Sequence, residues 1–337
     1  MKVLVTGGKG FIGGSVAGRL IELGYQVKTL SRSPSSSHIG NKSDHYQIDL
    51  TKKIFDSHFL DGVDVVFHIA AKAGIDGHFR EYYKANFIAT QNILHACKKR
   101  GVKYFIYTSS PSVVFSKNAI RNGNETLPYT NVHISSYAST KAMAEKEVLN
   151  SNNGSSFCTI ALRPHLVWGN GDPHLLPKVI KRHLQHKLKI VGDGENKVDL
   201  THIDNVTHAH VSAMNSLINS KDLGGKAYFI SQNEPVSLWP WLNQLFSKLE
   251  LPPIQKKVSF RKAYLAGQLA EIIWRALNLK SEIPMSRFAA CQLSHDHWFS
   301  SIRAEKDLGY KPIISMDEAL VKTLPSLKKL TINPDCD

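Results

Sequence analysis

"KVLVTGGKGFIGGSVAGRLIELGY", residues 2–25, decides the fold. It opens with a short apolar run that stops at glycines, the pattern of a buried strand. "FIGGSVAGRLIELG" then spaces its apolar residues as a core-facing helix does, and it ends at Gly24. Between the two, Gly7, Gly10 and Gly13 follow GxxGxxG. Glycines there let the backbone turn tightly and approach a pyrophosphate, which rests on the free N–H groups of the helix start. A glycine triplet alone also fits a tight turn with close packing. A strand before it and a helix after it supply the context that a dinucleotide fingerprint requires. Gly7, Gly10, Phe11, Ile12 and Gly13 are therefore the expected phosphate loop.

Outward from this stretch, strand and helix alternate. "YQVKTLSR" (25–32), "DVVFHIAA" (64–71), "KYFIYTSS" (103–110) and "SFCTIALRP" (156–164) read as strands, with a helix over 82–101. Continuous apolar runs separated by helices indicate a parallel sheet covered on both faces, a Rossmann-like doubly wound α/β fold. Residues 1–165 are the expected dinucleotide-binding domain, and a late strand near 226–232 returns to its sheet. Residues 166–337 form a smaller, mainly helical substrate lobe.

The second strand ends in Ser31 and Arg32. An NAD site usually places a carboxylate there for the ribose 2′-hydroxyl. Here no acid repels a 2′-phosphate and a guanidinium can pair with one, so NADP(H) is the expected cofactor. Asp49 and Leu50 border the adenine, and Ala70 and Ala71, at the end of the 64–71 strand, line the same cleft.

"SSYASTKAMAEKEVL" (135–149) is helical and carries Tyr137 and Lys141 one turn apart on one face. A phenol near pKa 10 exchanges protons poorly at neutral pH unless its anion is stabilised, which a neighbouring ammonium can do. A serine at the preceding strand end, Ser110 or its neighbour Ser109, would orient a substrate oxygen. The trio suits proton transfer coupled to hydride transfer at a nicotinamide.

In this order, GxxGxxG, a strand-end serine and YxxxK resemble the extended short-chain dehydrogenase/reductase superfamily over essentially the full chain. The resemblance implies Tyr137, Lys141 and Ser110 as catalytic residues, with Lys141 also touching the cofactor. It also implies a cytoplasmic homodimer paired through helices near 85–100 and 137–150. Sugar-nucleotide members carry an arginine in "GDGxxxRDF"; "GDGENKVDL" has Val198 there, which removes the expected diphosphate clamp. "VDLTHIDN" looks like the 3β-hydroxysteroid and sterol dehydrogenase branch. Within it, "ALRPHLVWGNGDPHLLPKVI" is similar to the bacterial 2-alkyl-3-oxoalkanoate reductases of long-chain olefin biosynthesis, except that Asn170 replaces a proline. That similarity implies NADPH-dependent reduction of a two-tailed 3-keto acid, with a sterol 3β-hydroxy dehydrogenase as the alternative.

A hydrophobic acidic substrate needs an apolar cavity and a polar contact for its carboxylate. Trp168, Trp239, Trp241, Trp274 and Trp298 offer apolar surface or ordinary core, and His165 and His174 are candidate substrate contacts at the cleft mouth. The net charge of +14 favours anionic partners, but no nucleic-acid motif accompanies it. Four scattered cysteines and paired histidines without convergent carboxylates give no metal pattern and fit a reducing compartment. A strand pattern from the first residues leaves no expected signal peptide. Residues 259–280 form an amphipathic stretch too polar to span a bilayer, but suited to a peripheral membrane or pathway-enzyme contact.

Overall fold

A computed structural model describes residues 1–34, 44–53, 57–74, 77–131, 135–279, 281 and 283–332. Residues 35–38 of the serine-rich loop, Lys280 and Cys336 lie outside the described residues.

Seven parallel strands form the central sheet: β1 (Lys2–Thr6), β2 (Gln26–Ser31), β3 (Asp44–Gln47), β4 (Val65–His68), β5 (Tyr104–Thr108), β7 (Cys158–Pro164) and β12 (Lys226–Ile230). Their spatial order is β12-β7-β5-β4-β1-β2-β3, so the chain reverses direction across the sheet at β1. In open α/β sheets the crevice beyond the strand ends at such a switch point is where ligands bind. Period-two alternation builds two cores from one strand. Val3 and Val5 face α1 (Phe11–Glu22), α6 (Ile203–Asn219) and α10 (Ile302–Leu308). Leu4 faces the opposite side, with α3 (Ala89–Lys99) and α4 (Ser136–Asn150).

Two expected elements are interrupted. β4 stops at His68 because the Ile69 and Ala70 N–H groups turn to the Thr6 hydroxyl, at 3.1 and 3.2 Å, rather than continuing the ladder. The helix expected over 82–101 is α2 (Phe79–Tyr82), one π-helical turn over Tyr83–Ile88, and then α3. π-turns of this kind often mark functional positions.

The lobe has a separate core. Trp168, Trp239 and Trp241 are buried in it among α5 (Leu176–Leu184), α7 (Leu238–Lys248) and α11 (Met316–Ile332), so these three tryptophans pack the lobe interior. The lobe is less purely helical than its sequence implied. β6 (Ile120–Gly123), β10 (Lys197–Val198), β13 (Val236–Ser237) and β15 (His297–Phe299) form a second sheet. Two short ladders join β8 (Val167–Trp168) to β11 (Thr201–His202) and β9 (Ile190–Val191) to β14 (Lys257–Val258). Strands of two to four residues paired across long sequence separations leave no periodic trace. α8 (Phe260–Ala276) and α9 (Arg287–Ser294) complete the lobe.

Candidate active site

The crevice at the switch point starts with glycines that cannot be replaced. Gly7 has φ +70° and its N–H donates to the Leu30 carbonyl at 2.7 Å, while Gly10 N–H donates to the Gly7 carbonyl at 2.8 Å. A Cβ on Gly13 would sit 2.1 Å from the Gly7 oxygen, and one on Gly7 would sit 2.9 Å from the Ala70 nitrogen. β1, α1 and the segment after β4 therefore meet backbone to backbone. Gly10 caps α1 without a side-chain bond, and no acid occupies the first turn. An open helix N-terminus with positive dipole potential and a glycine-lined approach fits a dinucleotide pyrophosphate.

A buried polar chain holds this cradle together. His68 lies between the hydroxyls of Thr6 (2.8 Å) and Thr90 (3.0 Å). Burial, with Lys141 adding to it, pushes its pKa down to about 3, so it is a neutral strut at physiological pH. Arg32 is exposed just past β2, and its carbonyl accepts from the Gln47 amide at 3.0 Å. The Ser31 hydroxyl donates to the Ser33 carbonyl at 3.0 Å. Burial would raise the Asp49 pKa, but the Thr51 N–H and hydroxyl, with Arg32 and Lys52 nearby, hold it below the usual carboxylate value. Leu50 is buried beside this segment. Arg32 and Asp49 thus share one electrostatic neighbourhood past the end of β2.

At the other end of the crevice stand Tyr137, Ser110 and Lys141. Ser135 caps α4, its hydroxyl accepting from the Ala138 N–H at 3.2 Å, so the helix begins just before Tyr137. The Ser110 side chain lies close enough to the Tyr137 hydroxyl to pull the phenol's pKa down. Ser109 is buried, and among the described residues its hydroxyl has no partner, so Ser110 is the serine that meets the tyrosine. Ser110 Oγ also accepts from the Ser112 N–H at 3.2 Å, which fixes its position at the start of the next turn.

Lys141 is anchored from β5. Its Nζ donates to the Thr108 carbonyl at 2.6 Å and lies 4.1 Å from the Tyr107 ring centroid. Burial raises the Tyr137 pKa above the ordinary tyrosine value, with Ser110 opposing, so the phenol is held protonated. Burial also pushes the Lys141 ammonium from 10.5 down to about 7, while Glu145 pulls it back up.

The stability consequence has a definite sign. Between about pH 7 and 10.5 the unfolded chain holds more proton on Lys141 than the folded one. Its contribution to stability is therefore complete above 10.5 and is lost as pH falls to about 7. Urea unfolding across this range should show wild type gaining on Lys141→Met as pH rises; identical pH dependence in the two proteins would refute it.

Two supporting groups carried no sequence motif. Asn86, on the π-turn, accepts from the Lys72 N–H at 2.7 Å and donates to the Lys72 carbonyl at 3.1 Å and to Thr140 at 3.2 Å. It ties the segment after β4 to the residue preceding Lys141. A buried asparagine inside an otherwise apolar helix face was the only available signal. Glu145, one turn beyond Lys141, is fully buried; it accepts from Arg163 Nη2 at 2.5 Å and from the Tyr129 hydroxyl at 2.8 Å.

The expected substrate contacts fare differently. His165 is buried, not at an open mouth. Its Nε2 lies 3.1 Å from Nδ1 of His297, and burial holds both rings neutral, His297 at about 4. His174 is exposed ahead of α5, in a loop organised by Asp172, which accepts from the N–H groups of His174 (2.8 Å) and Leu176 (2.9 Å). Asn170 has a structural part: its side-chain oxygen accepts from Ser326 in α11 at 2.9 Å. Val198 is fully buried in the lobe core.

A cradle for a dinucleotide and a protonated phenol at opposite ends of one crevice are the parts of a redox reaction on an alcohol or carbonyl carbon. The protein is an oxidoreductase acting on CH–OH groups. The chain belongs to the 3-beta hydroxysteroid dehydrogenase/isomerase family, whose profile matches residues 4–260. It is 41% identical to the 2-alkyl-3-oxoalkanoate reductase of Stenotrophomonas maltophilia, over 95% of this chain and 97% of that protein. To the decarboxylating sterol-4-alpha-carboxylate 3-dehydrogenase of Mus musculus it is 34% identical, over 98% of this chain and 91% of that protein. A solved UDP-glucuronic acid 4-epimerase from Bacillus cereus, in complex with UDP-glucuronic acid and NAD, matches with a TM-score of 0.75. That match is 24% identical over 98% of this chain and 100% of that one, and it speaks to the fold.

Proposed function

We propose that this chain reduces the 3-keto group of a long-chain 2-alkyl-3-oxoalkanoate to the 3-hydroxy acid, with NADPH, as a step of olefin biosynthesis. The observation that carries this is the near-full-length similarity to a 2-alkyl-3-oxoalkanoate reductase. The chemistry of the second relative agrees with it. A sterol bearing a 4-carboxylate and oxidised at C3 is also a β-oxygenated acid with bulky apolar substituents. Both named substrates place the reacting oxygen two carbons from a carboxylate carbon.

The side chains can serve such a substrate. When bound, a nicotinamide dinucleotide supplies the hydride. Ser110 would hold the keto oxygen by a hydrogen bond. Tyr137, kept protonated by burial, would give its proton to the alkoxide that forms there. Lys141, braced by Thr108, would then stabilise the phenolate left behind. Arg32 would pair with the 2′-phosphate of NADPH, and Gly7, Gly10 and Gly13 would admit the pyrophosphate.

The test is turnover of a racemic 2-alkyl-3-hydroxy fatty acid with NADP, and of the keto acid with NADPH, against a sterol 3β-alcohol with and without a 4-carboxylate. The alkyl acid should be the better substrate. Turnover of the sterol acid alone would move the assignment to a sterol dehydrogenase. In the same assay Arg32→Asp should shift the NADPH-to-NADH ratio of kcat/KM by about 10- to 100-fold. An unchanged ratio would mean that the 2′-phosphate is read elsewhere.

A further inference from the structure

Among the described residues, nothing covers one apolar face of α8. Leu265, Leu269 and Ile272 are 63%, 59% and 58% exposed, and Leu277, just past the helix end, is 66% exposed. With Ile273, which is also exposed, they follow the three-and-four spacing of one helix stripe. The opposite stripe is the one that packs. Ala263 and Gly267 are buried, and a Cβ on Gly267 would lie 2.7 Å from the Ser286 backbone at the start of α9. The fold thus uses the small residues of α8 for its own packing and turns the leucines outward.

Among the described residues of α8 and the segment just before it, the exposed charges have one sign. Arg261, Lys262 and Arg275 are exposed within α8, and Lys256 and Lys257 are exposed just before it. The only carboxylate of the helix, Glu271, is drawn inward by Arg287. It accepts from the Arg287 backbone N–H at 2.7 Å and from its side-chain Nε at 2.7 Å. Protein-binding hot spots are rich in Trp, Tyr and Arg anchors at the centre of the patch. This stripe instead presents flexible aliphatic side chains with cations at its edge, the composition of a helix that lies in a lipid interface. No helix among the described residues is long and apolar enough to cross a membrane.

We propose that α8 is a docking surface for an anionic phospholipid membrane. The leucine and isoleucine side chains enter the headgroup–acyl boundary, and Arg261, Lys262 and Arg275 meet lipid phosphates. The surface lies near the crevice. α8 packs on α9, and the Phe288 ring of α9 lies 4.7 Å from that of Phe115, tilted by 51°, five residues after Ser110. That proximity would let an apolar substrate pass from bilayer to site, a consequence that rests on the substrate class proposed above; the docking surface itself does not.

Sedimentation of the full chain with vesicles tests it without reference to turnover. Wild type should bind equimolar phosphatidylcholine–phosphatidylglycerol vesicles, and added salt should weaken the binding. Leu269→Glu/Ile272→Glu should lower the bound fraction by about tenfold or more, with an unchanged circular dichroism spectrum and thermal midpoint. Arg261→Gln/Lys262→Gln, which spares the apolar stripe, should weaken binding to the anionic vesicles and leave that to pure phosphatidylcholine as it was. The proposal fails if wild type stays in the supernatant, or if both variants sediment like wild type. It also fails if wild type is a larger species in solution that Leu269→Glu/Ile272→Glu dissociates, because a second copy would then cover the stripe.

Discussion

Tyr137→Phe is expected to lower kcat by roughly 10²- to 10⁴-fold while leaving nicotinamide dinucleotide affinity within about twofold of wild type. The substitution removes one hydroxyl, and that hydroxyl lies beside the Ser110 side chain. The phosphate cradle is built from the backbone of Gly7, Gly10 and Gly13 and from the end of α1, none of which the ring supports. Loss of turnover with retained cofactor binding, measured by nicotinamide absorbance and by titration calorimetry, is the signature of a missing proton donor. Full turnover in the variant would remove Tyr137 from the chemistry. A matching loss of cofactor affinity would mean that the ring shapes the cradle instead.

The second large effect lies one layer deeper. Glu145→Gln should destabilise the fold by about 3–5 kcal/mol, because it leaves the buried Arg163 guanidinium without its counter-charge. Arg163 sits on β7 with its guanidinium 4.9 Å from the Phe229 ring and 5.6 Å from that of Tyr129. Its side chain is only 4% exposed, so little water can replace the carboxylate. Glu145 is also what raises the pKa of Lys141 against burial, so the variant should leave that lysine more fully neutral at pH 7. Replacing both partners, as Glu145→Leu/Arg163→Met, should recover most of the lost stability, since two apolar side chains need no desolvated charge. Denaturant unfolding of the three proteins measures this. A single variant as stable as wild type would show that the pair is not the brace its burial implies.

Much of the crevice was legible before any coordinates. The GxxGxxG loop, the parallel sheet implied by alternating apolar runs, and the placing of Tyr137 and Lys141 on one helix face are all local patterns. Backbone propensity and helical period write such patterns within about twenty residues. The family and fold followed from them, and relatives and solved structures agree. Tryptophan and histidine content was a weaker guide. Residue type alone does not separate a cavity wall from a core, and Trp168, Trp239, Trp241 and His165 are all buried.

By itself, the sequence determined the parallel sheet, the phosphate loop and the helix that carries the tyrosine and lysine, because each announces itself in a local pattern of apolar spacing or glycine placement. Tertiary structure alone decided the rest. It chose Ser110 over Ser109, turned Lys141 toward the Thr108 carbonyl, buried His165 against His297 and left the leucines of α8 facing outward. Those outcomes depend on which segments, up to 132 residues apart in the chain, come to lie against one another. Packing and desolvation between distant elements settle them, and no local period records that.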